Sequence, residues 1–410
     1  MRIKLVTISY HPDLIGIAPL ADDLSRGLLE RGHEVTVIAG LPHYPSREIP
    51  EEYRRHPFRR EVRHGGVMVW RSHIHISKRA TVLARSMLYG SFTASASFNL
   101  MRSGPADVVL VISPPPTLNV AASIFRRLHG AALVLNVQDI VPDAPIAFGM
   151  MTNPLQIRLF RWLERYAYSS SDRIVVVADN FLANLRAKGV PAEKLRVIHN
   201  WIDTDEVRPL DRMNSFRVRN GIDDKAFVVM YAGNMGLSQG LEIILDAAER
   251  LRSDDGIAFV MVGGGASLAA LQARARTMRL RNVQFVPTQP EMKWVQAAAD
   301  VSLVMQRGNV LDVNLPSKIP AIMASGRPMI AGLNPAGDAA AIVRQADCGI
   351  LIEPGDGGHL AEAICSLRDS PYLRQRFAEN GRRYALARFS RDPAIDAYET
   401  VLREACTRCV

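Results

Sequence analysis

The sequence is poor in cysteine, with four in 410 residues and all of them beyond residue 347. So few thiols, clustered at one end, build no disulfide framework. Cys406 and Cys409 form one Cys-x-x-Cys, but Cys348 and Cys365 have 16 residues between them and no histidine support. A four-ligand zinc site is therefore not expected, and the thiols read as ordinary reduced cysteines. Long hydrophobic runs are also missing: none reaches the ~18 residues that cross a membrane. The basic, apolar start over residues 1–10 lacks a small-residue cleavage site and is broken by His11-Pro12-Asp13. It reads as a buried first strand, which keeps the chain cytoplasmic. Neither a Walker A loop nor a full Gly-x-Gly-x-x-Gly fingerprint is present.

What is present has a globular balance, 48% hydrophobic and 22% charged. A chain of this length is expected to form two domains of about 200 residues each. Apolar runs over 3–9, 34–39, 108–113, 132–138 and 173–177 alternate with helical stretches such as 18–31. After a short strand over 196–198 the alternation restarts. Its strands are 227–232, 258–262, 283–285, 301–304 and 328–331, with helices over 240–251, 267–278 and 317–325. Continuous Val/Ile/Leu strands separated by helices mark parallel sheets covered on both faces. The expected class is α/β, with two Rossmann-like, doubly wound parallel-sheet domains facing a cleft. The first spans 1–202 and the second 203–388. The charged segment 204–224 reads as a hinge.

Positive charge is unevenly placed. Residues 1–202 carry 25 Lys/Arg against 16 Asp/Glu, while residues 203–410 balance, so the whole net charge of +9 lies in the first half. Within residues 54–102, ten basic side chains accompany a single acid, Glu61, and the uncharged run 86–101. Basic residues beside a moderately apolar helix suit an anionic membrane surface, placing the chain peripherally on the inner face of the cell membrane. Nucleic acid is the competing polyanion, but no recognition motif accompanies the charge, so no nucleic-acid partner is expected. The bland alternative is a solvated basic face above a buried helix. The oligomeric state is not legible.

Three strand–turn–helix junctions have the form of phosphate cradles: Gly16 ahead of the first helix, Tyr231-Ala-Gly-Asn-Met-Gly236 with Gln239-Gly240, and Pro316-Ser317-Lys318. Each turns backbone N–H groups and the positive end of a helix toward a ligand, and glycine permits close approach. Gly263 and Gly264 follow the strand over 258–262 in the same manner.

These motifs, together with Arg31-Gly-His-Glu-Val35, Val137-Gln-Asp-Ile-Val-Pro-Asp143 and Ala324-Ser-Gly-Arg-Pro328, resemble glycosyltransferase family 4. More narrowly they are similar to its colanic-acid and fucosamine transferase branch, which serves bacterial surface polysaccharides. The resemblance runs from residue 1 to about residue 400 and implies the GT-B fold, a retaining mechanism, and no required metal or other cofactor. It also implies a nucleotide-sugar donor, as a UDP- or GDP-sugar, on the second domain. The first domain would take the acceptor, polyprenyl-diphosphate-linked or otherwise held at the membrane surface. The segment 389–410 would form a helix crossing back to the first domain. A catalytically weakened sugar-nucleotide-binding subunit and a GT-B sugar-nucleotide epimerase are the alternatives.

Glycosyl transfer needs positive charge where the diphosphate departs. Asp203-Thr204-Asp205 matches the metal-binding Asp-x-Asp of GT-A enzymes, but at the domain crossover it reads as a hinge or helix cap. Many family members carry Arg and Lys where this chain has Asn234 and Gln239, and a glutamate pair where it has Val313 and Ala321. Lys318 is therefore the leading cation, with Arg307 second and backbone amides of 233–236 and 316–318 assisting. Ribose recognition is left to Asp312 or Glu291, and the loop carrying Pro287 is expected to meet the base. For the acceptor hydroxyl, Asp139 is the candidate base at a strand's carboxyl end, with Asp143 behind it. His11 and His43 follow the first two strands and are acceptor-side candidates. Retention by front-face attack requires no enzymic nucleophile, and none is assigned.

Overall fold

The computed structural model describes residues 1–13, 16–43, 47–77, 82–147, 151–308 and 316–407. Asp312, Val313 and Cys409, named above, lie outside them, as do Lys78 and Arg79 of the basic window 54–102. The chain divides into two compact units, Met1–Asn200 with Asp392–Val410, and Trp201–Arg391.

The first unit is built on eight strands: β1 Arg2–Thr7, β2 Glu34–Gly40, β3 Arg60–Arg63, β4 Val67–Ser72, β5 Val108–Ser113, β6 Ala132–Val137, β7 Arg173–Val176 and β8 Leu195–Val197. Their order is β3-β4-β2-β1-β5-β6-β7-β8, with every pairing parallel except β3 with β4. All residues of β5 and β6 are buried, as strands covered on both faces must be. The chain runs to one side of β1 through β2 and to the other through β5, so the sheet's switch point lies at the carboxyl ends of β1 and β5.

The β3–β4 hairpin was not legible in the basic window 54–102. Val67 and Val69 point inward with period two, a strand signal masked by the surrounding arginines. Charge in that window is also more neutralised than the sequence suggests. Arg71 is fully buried against Glu61, Arg63 pairs with Asp22, and Arg55 pairs with Glu51. The apolar residues Phe92, Ala96 and Leu100 of helix Val82–Arg102 face the core. The window is thus partly a packed edge of the sheet.

Helix Arg391–Thr407 closes this unit from the far end of the chain. Its fully buried Tyr398 is hydrogen-bonded to Asn136 on β6. Gly27 makes room for it, since a Cβ there would lie 2.2 Å from Ile395 Cδ1. Glu404 joins Arg173 at 3.1 Å and Arg196 at 2.9 Å, and Glu399 meets His33 at 3.0 Å.

The second unit has six parallel strands: β9 Phe227–Ala232, β10 Ile257–Val262, β11 Val283–Val286, β12 Val301–Met305, β13 Met329–Gly332 and β14 Gly349–Ile352. They are ordered β11-β10-β9-β12-β13-β14. Its switch point lies at the ends of β9 and β12. The segment read as a hinge is part of this body. Arg217, fully buried, donates to Asp300 at 2.7 Å and to the Ala298 carbonyl at 2.9 Å, and Asn214 caps the short helix Ser215–Arg219. Its charge pattern read as a hinge, yet Arg212 and Arg217 both pair with Asp300 of this unit. Asp203 does cap locally, accepting from the N–H groups of Asp205 and Glu206.

Removing the partner of a buried cation costs more than an exposed ion pair is worth. Asp300→Ala is expected to destabilise the second unit by about 3–5 kcal/mol, read from its denaturant midpoint. A loss below about 1 kcal/mol would show the pair to be dispensable.

Candidate functional site

The best-formed constellation lies at the switch point of the second sheet. Tyr231, next to last in β9, is buried, and burial raises the pKa of its phenol, which therefore stays neutral. Its hydroxyl donates to the Asn234 carbonyl at 2.7 Å and accepts from Lys318 Nζ at 2.8 Å. The ammonium also sits 4.0 Å from the Tyr231 ring centroid, in cation–π contact. Among the described residues no carboxylate lies within ion-pair range of it. Burial alone pushes the Lys318 pKa down to about 8, so near neutral pH it is a charged group short of an anion.

Glycines make this arrangement possible. A Cβ on Gly233 would stand 3.2 Å from Lys318 Nζ, and Gly233 has φ +137°, a conformation that side-chain-bearing residues avoid. Gly263 is more constrained, for its Cβ would fall 2.1 Å from the Gly233 carbonyl oxygen at φ +138°. Backbone bonds stitch the two turns together: Gly233 N–H to the Val262 carbonyl at 2.9 Å, and Met235 N–H to the Gly264 carbonyl at 2.8 Å. The result is a small cradle of glycine backbone packed beneath an ammonium group.

The other donor-side candidates divide. Gly236 accommodates Gln239, whose Oε1 is buried without a partner among the described residues. Asn234 is exposed beside it. Pro316 and Ser317 precede Lys318 at the start of helix Lys318–Ala324, and the Ile319 N–H bonds the Pro316 carbonyl at 2.9 Å. Pro287 is exposed just beyond β11, its carbonyl accepting from Gln289 at 2.9 Å. Arg307 is not a second free cation. Its guanidinium meets Glu242 and the Leu237 carbonyl, both at 2.6 Å, and its backbone N–H bonds the Ser238 carbonyl. It braces the loop over 237–240, and its charge is already neutralised.

In the first unit the acceptor-side candidates follow the carboxyl ends of their strands. His43 donates from Nδ1 to the Leu41 carbonyl at 2.9 Å. Its backbone N–H bonds the buried Asp13 at 3.0 Å. His11 has a buried Nδ1 with no partner among the described residues. Burial first, and Arg63 second, lower its pKa and keep the ring neutral. Arg71 ties the two loops together through the carbonyls of His11 and Gly40. Gly16 sits in the left-handed region at φ +72°, two residues ahead of helix Ala18–Glu30. Asp139 lies partly buried just past β6. Asp143 is committed elsewhere: Lys188 meets it at 2.7 Å and Glu164 at 2.5 Å.

Tyr231, Asp13 and Arg71 were not singled out in the sequence. Only Tyr231 carried a signal, standing next to last in a buried strand ahead of the Gly-Asn-Met-Gly turn.

Comparison with known proteins follows the same division of the chain. The glycosyl transferase 4-like domain family matches residues 16–201, and the glycosyl transferases group 1 family matches residues 226–370. A protein named as a colanic acid biosynthesis glycosyl transferase, WcaI of Escherichia coli, is 32% identical over 80% of this chain and 82% of its own. The O-antigen chain mannosyltransferase C of Escherichia coli is 28% identical over 97% of each. Among solved structures, Anabaena HepE in complex with UDP superposes with TM-score 0.71 and 16% identity over 98% of this chain and 100% of its own, a likeness of fold.

Gly263→Ala is expected to push the two turns apart and lower stability by roughly 1–3 kcal/mol. Gly264→Ala, whose added Cβ meets nothing within 4 Å, should be near neutral. Thermal midpoints of the two variants check this, and equal shifts would contradict it.

Proposed function

The chain belongs to the group 1, family 4 glycosyltransferases of the GT-B fold, and from that premise we propose the reaction it performs. It moves a hexose-type sugar, deoxy or N-acetylated, from a UDP- or GDP-sugar to a lipid-linked acceptor, a polyprenyl diphosphate carrier. The product belongs to bacterial surface-polysaccharide assembly, in keeping with the names of its relatives. The transfer is retaining and metal-independent, and the protein works peripherally on the inner face of the cell membrane.

One observation carries the reading: Lys318 holds its ammonium 2.8 Å from the Tyr231 hydroxyl, over the glycine at 233, without a carboxylate among the described residues. A diphosphate placed there supplies the missing counter-charge. As the bond from the sugar's anomeric carbon to the diphosphate oxygen breaks, negative charge grows on the leaving group. Lys318 stabilises it, together with those cradle amides that, unlike Gly233 and Met235, are not bonded to a carbonyl. The acceptor hydroxyl attacks the same carbon from the face the diphosphate leaves, and its proton passes to Asp139. His11, whose ring burial keeps neutral, and His43 orient the acceptor. Asp143, held by Lys188, supports the fold instead.

A second reading, a sugar-nucleotide-binding subunit of weakened activity, is favoured by the pairing of Arg307 with Glu242, which leaves the cradle Lys318 alone as an unpaired cation among the described residues. Release of nucleoside diphosphate with a donor panel and membrane extract separates the two. Tight donor binding without turnover favours the subunit. Release of free UDP with no acceptor present points to an epimerase.

Lys318→Ala is expected to lower turnover about 100-fold or more with an unchanged thermal midpoint; undiminished turnover would refute the assignment. The sign of its pH dependence follows from the depressed pKa. The ammonium is charged below pH ~8 and lost above it, so UDP affinity should fall roughly tenfold between pH 7.5 and 9.5. In Lys318→Ala that slope should flatten, as titration calorimetry would show.

A further inference from the structure

Three helices of the first unit, Val82–Arg102, Leu118–His129 and Pro154–Ser170, pack side by side over one core. Their combined sequence contains a single acid, Glu164. That acid is buried, bonded to Lys188 at 2.5 Å and to the Tyr168 hydroxyl at 3.0 Å. The outer face of the layer therefore carries no exposed carboxylate among the described residues.

It carries apolar groups instead. Helix Pro154–Ser170 starts at Asn153, whose side chain accepts from the N–H groups of Leu155 and Gln156, and it buries Leu163, Ala167 and Tyr168. Its opposite side presents Leu155, Leu159 and Trp162, which are 76%, 53% and 52% exposed. With Tyr166, whose ring stacks on Trp162 at 5.7 Å, they recur at i, i+4, i+7 and i+11, one continuous stripe. Arg158, Arg161 and Arg165 run along its flank, exposed and without an ion-pair partner among the described residues. The neighbouring helices extend the pattern with exposed Ile124, Leu128 and Phe98, and with Arg127.

We propose that this outer face docks on an anionic membrane surface, with helix Pro154–Ser170 as its principal contact. Exposed Leu and Trp beside unneutralised arginines are what a headgroup interface accepts, the rings and methyls entering the acyl boundary and the guanidiniums meeting lipid phosphates. Trp belongs at that depth because one molecule offers an apolar body and a polar N–H. The basic window 54–102 contributes less, because Arg55, Arg63 and Arg71 are paired within the protein. The inference rests on the membrane-held acceptor proposed above and gives it a surface.

The test is co-sedimentation of the full chain with vesicles of phosphatidylcholine, alone or with about one part in three of phosphatidylglycerol. The wild type should bind only the anionic vesicles, with Trp emission shifting to the blue. Arg158→Gln, Arg161→Gln and Arg165→Gln together should weaken binding roughly 100-fold, at about a factor of five per arginine. Arg54→Gln, Arg55→Gln, Arg59→Gln and Arg60→Gln together should cost less than about tenfold. Trp162→Phe should keep the binding and lose the shift. Circular dichroism and the thermal midpoint of each variant exclude misfolding. Should the window variant lose binding while the helix variant keeps it, this face is wrong and the membrane reading stands. If the wild type ignores anionic vesicles, both fall. A dimer dissolved by Leu159→Ser with Trp162→Ser would overturn the proposal in favour of a second copy of the chain.

Discussion

An ammonium group with no carboxylate in range among the described residues is the constraint on which the second unit's site depends. Lys318 is held by a ring face and a phenol oxygen, neither of which cancels its charge. Around it the chain gives up side chains. Gly233 and Gly263 pack backbone against backbone where a single methyl group would collide. Such an arrangement costs conformational entropy and leaves a half-buried cation poorly solvated. Both costs are understandable in a site that an anion completes.

The switch point explains why the site is there. In a parallel sheet whose chain runs to both sides of a central strand, the loops after the two neighbouring strands diverge and leave room at their carboxyl ends. In the second unit those loops follow β9 and β12. The first carries the glycine turn and the second leads on to Lys318. Arg307 then acts as a brace between them, bonding the loop over 237–240 while its charge is balanced by Glu242.

The first unit depends on a different contact, the return of helix Arg391–Thr407. Tyr398 and Glu404 attach it to β6, β7 and β8, and Gly27 lets it approach the first helix closely. None of these partners is near it in sequence. Its arrival came from the resemblance, while the bonds that hold it emerge only in three dimensions. The same holds for segment 204–224, which reads as a charged hinge until Arg217 is seen buried on Asp300.

Strand and helix positions were legible because parallel strands are buried on both faces and must be apolar throughout, as β5, β6 and β9 are. Glycines at turns were legible because few other residues take a positive φ. Hairpin β3–β4 escaped notice because its alternation is short and charge dominates its surroundings. Which charges remain available was decided by tertiary structure alone. Lys318 and Tyr231 stand 87 residues apart, and Arg307 and Glu242 stand 65 apart. Neutralisation depends on approach within a few ångströms, and sequence spacing says nothing of that between distant segments. The order of strands and turns was written in the chain, and folding determined which of its cations would still be looking for an anion.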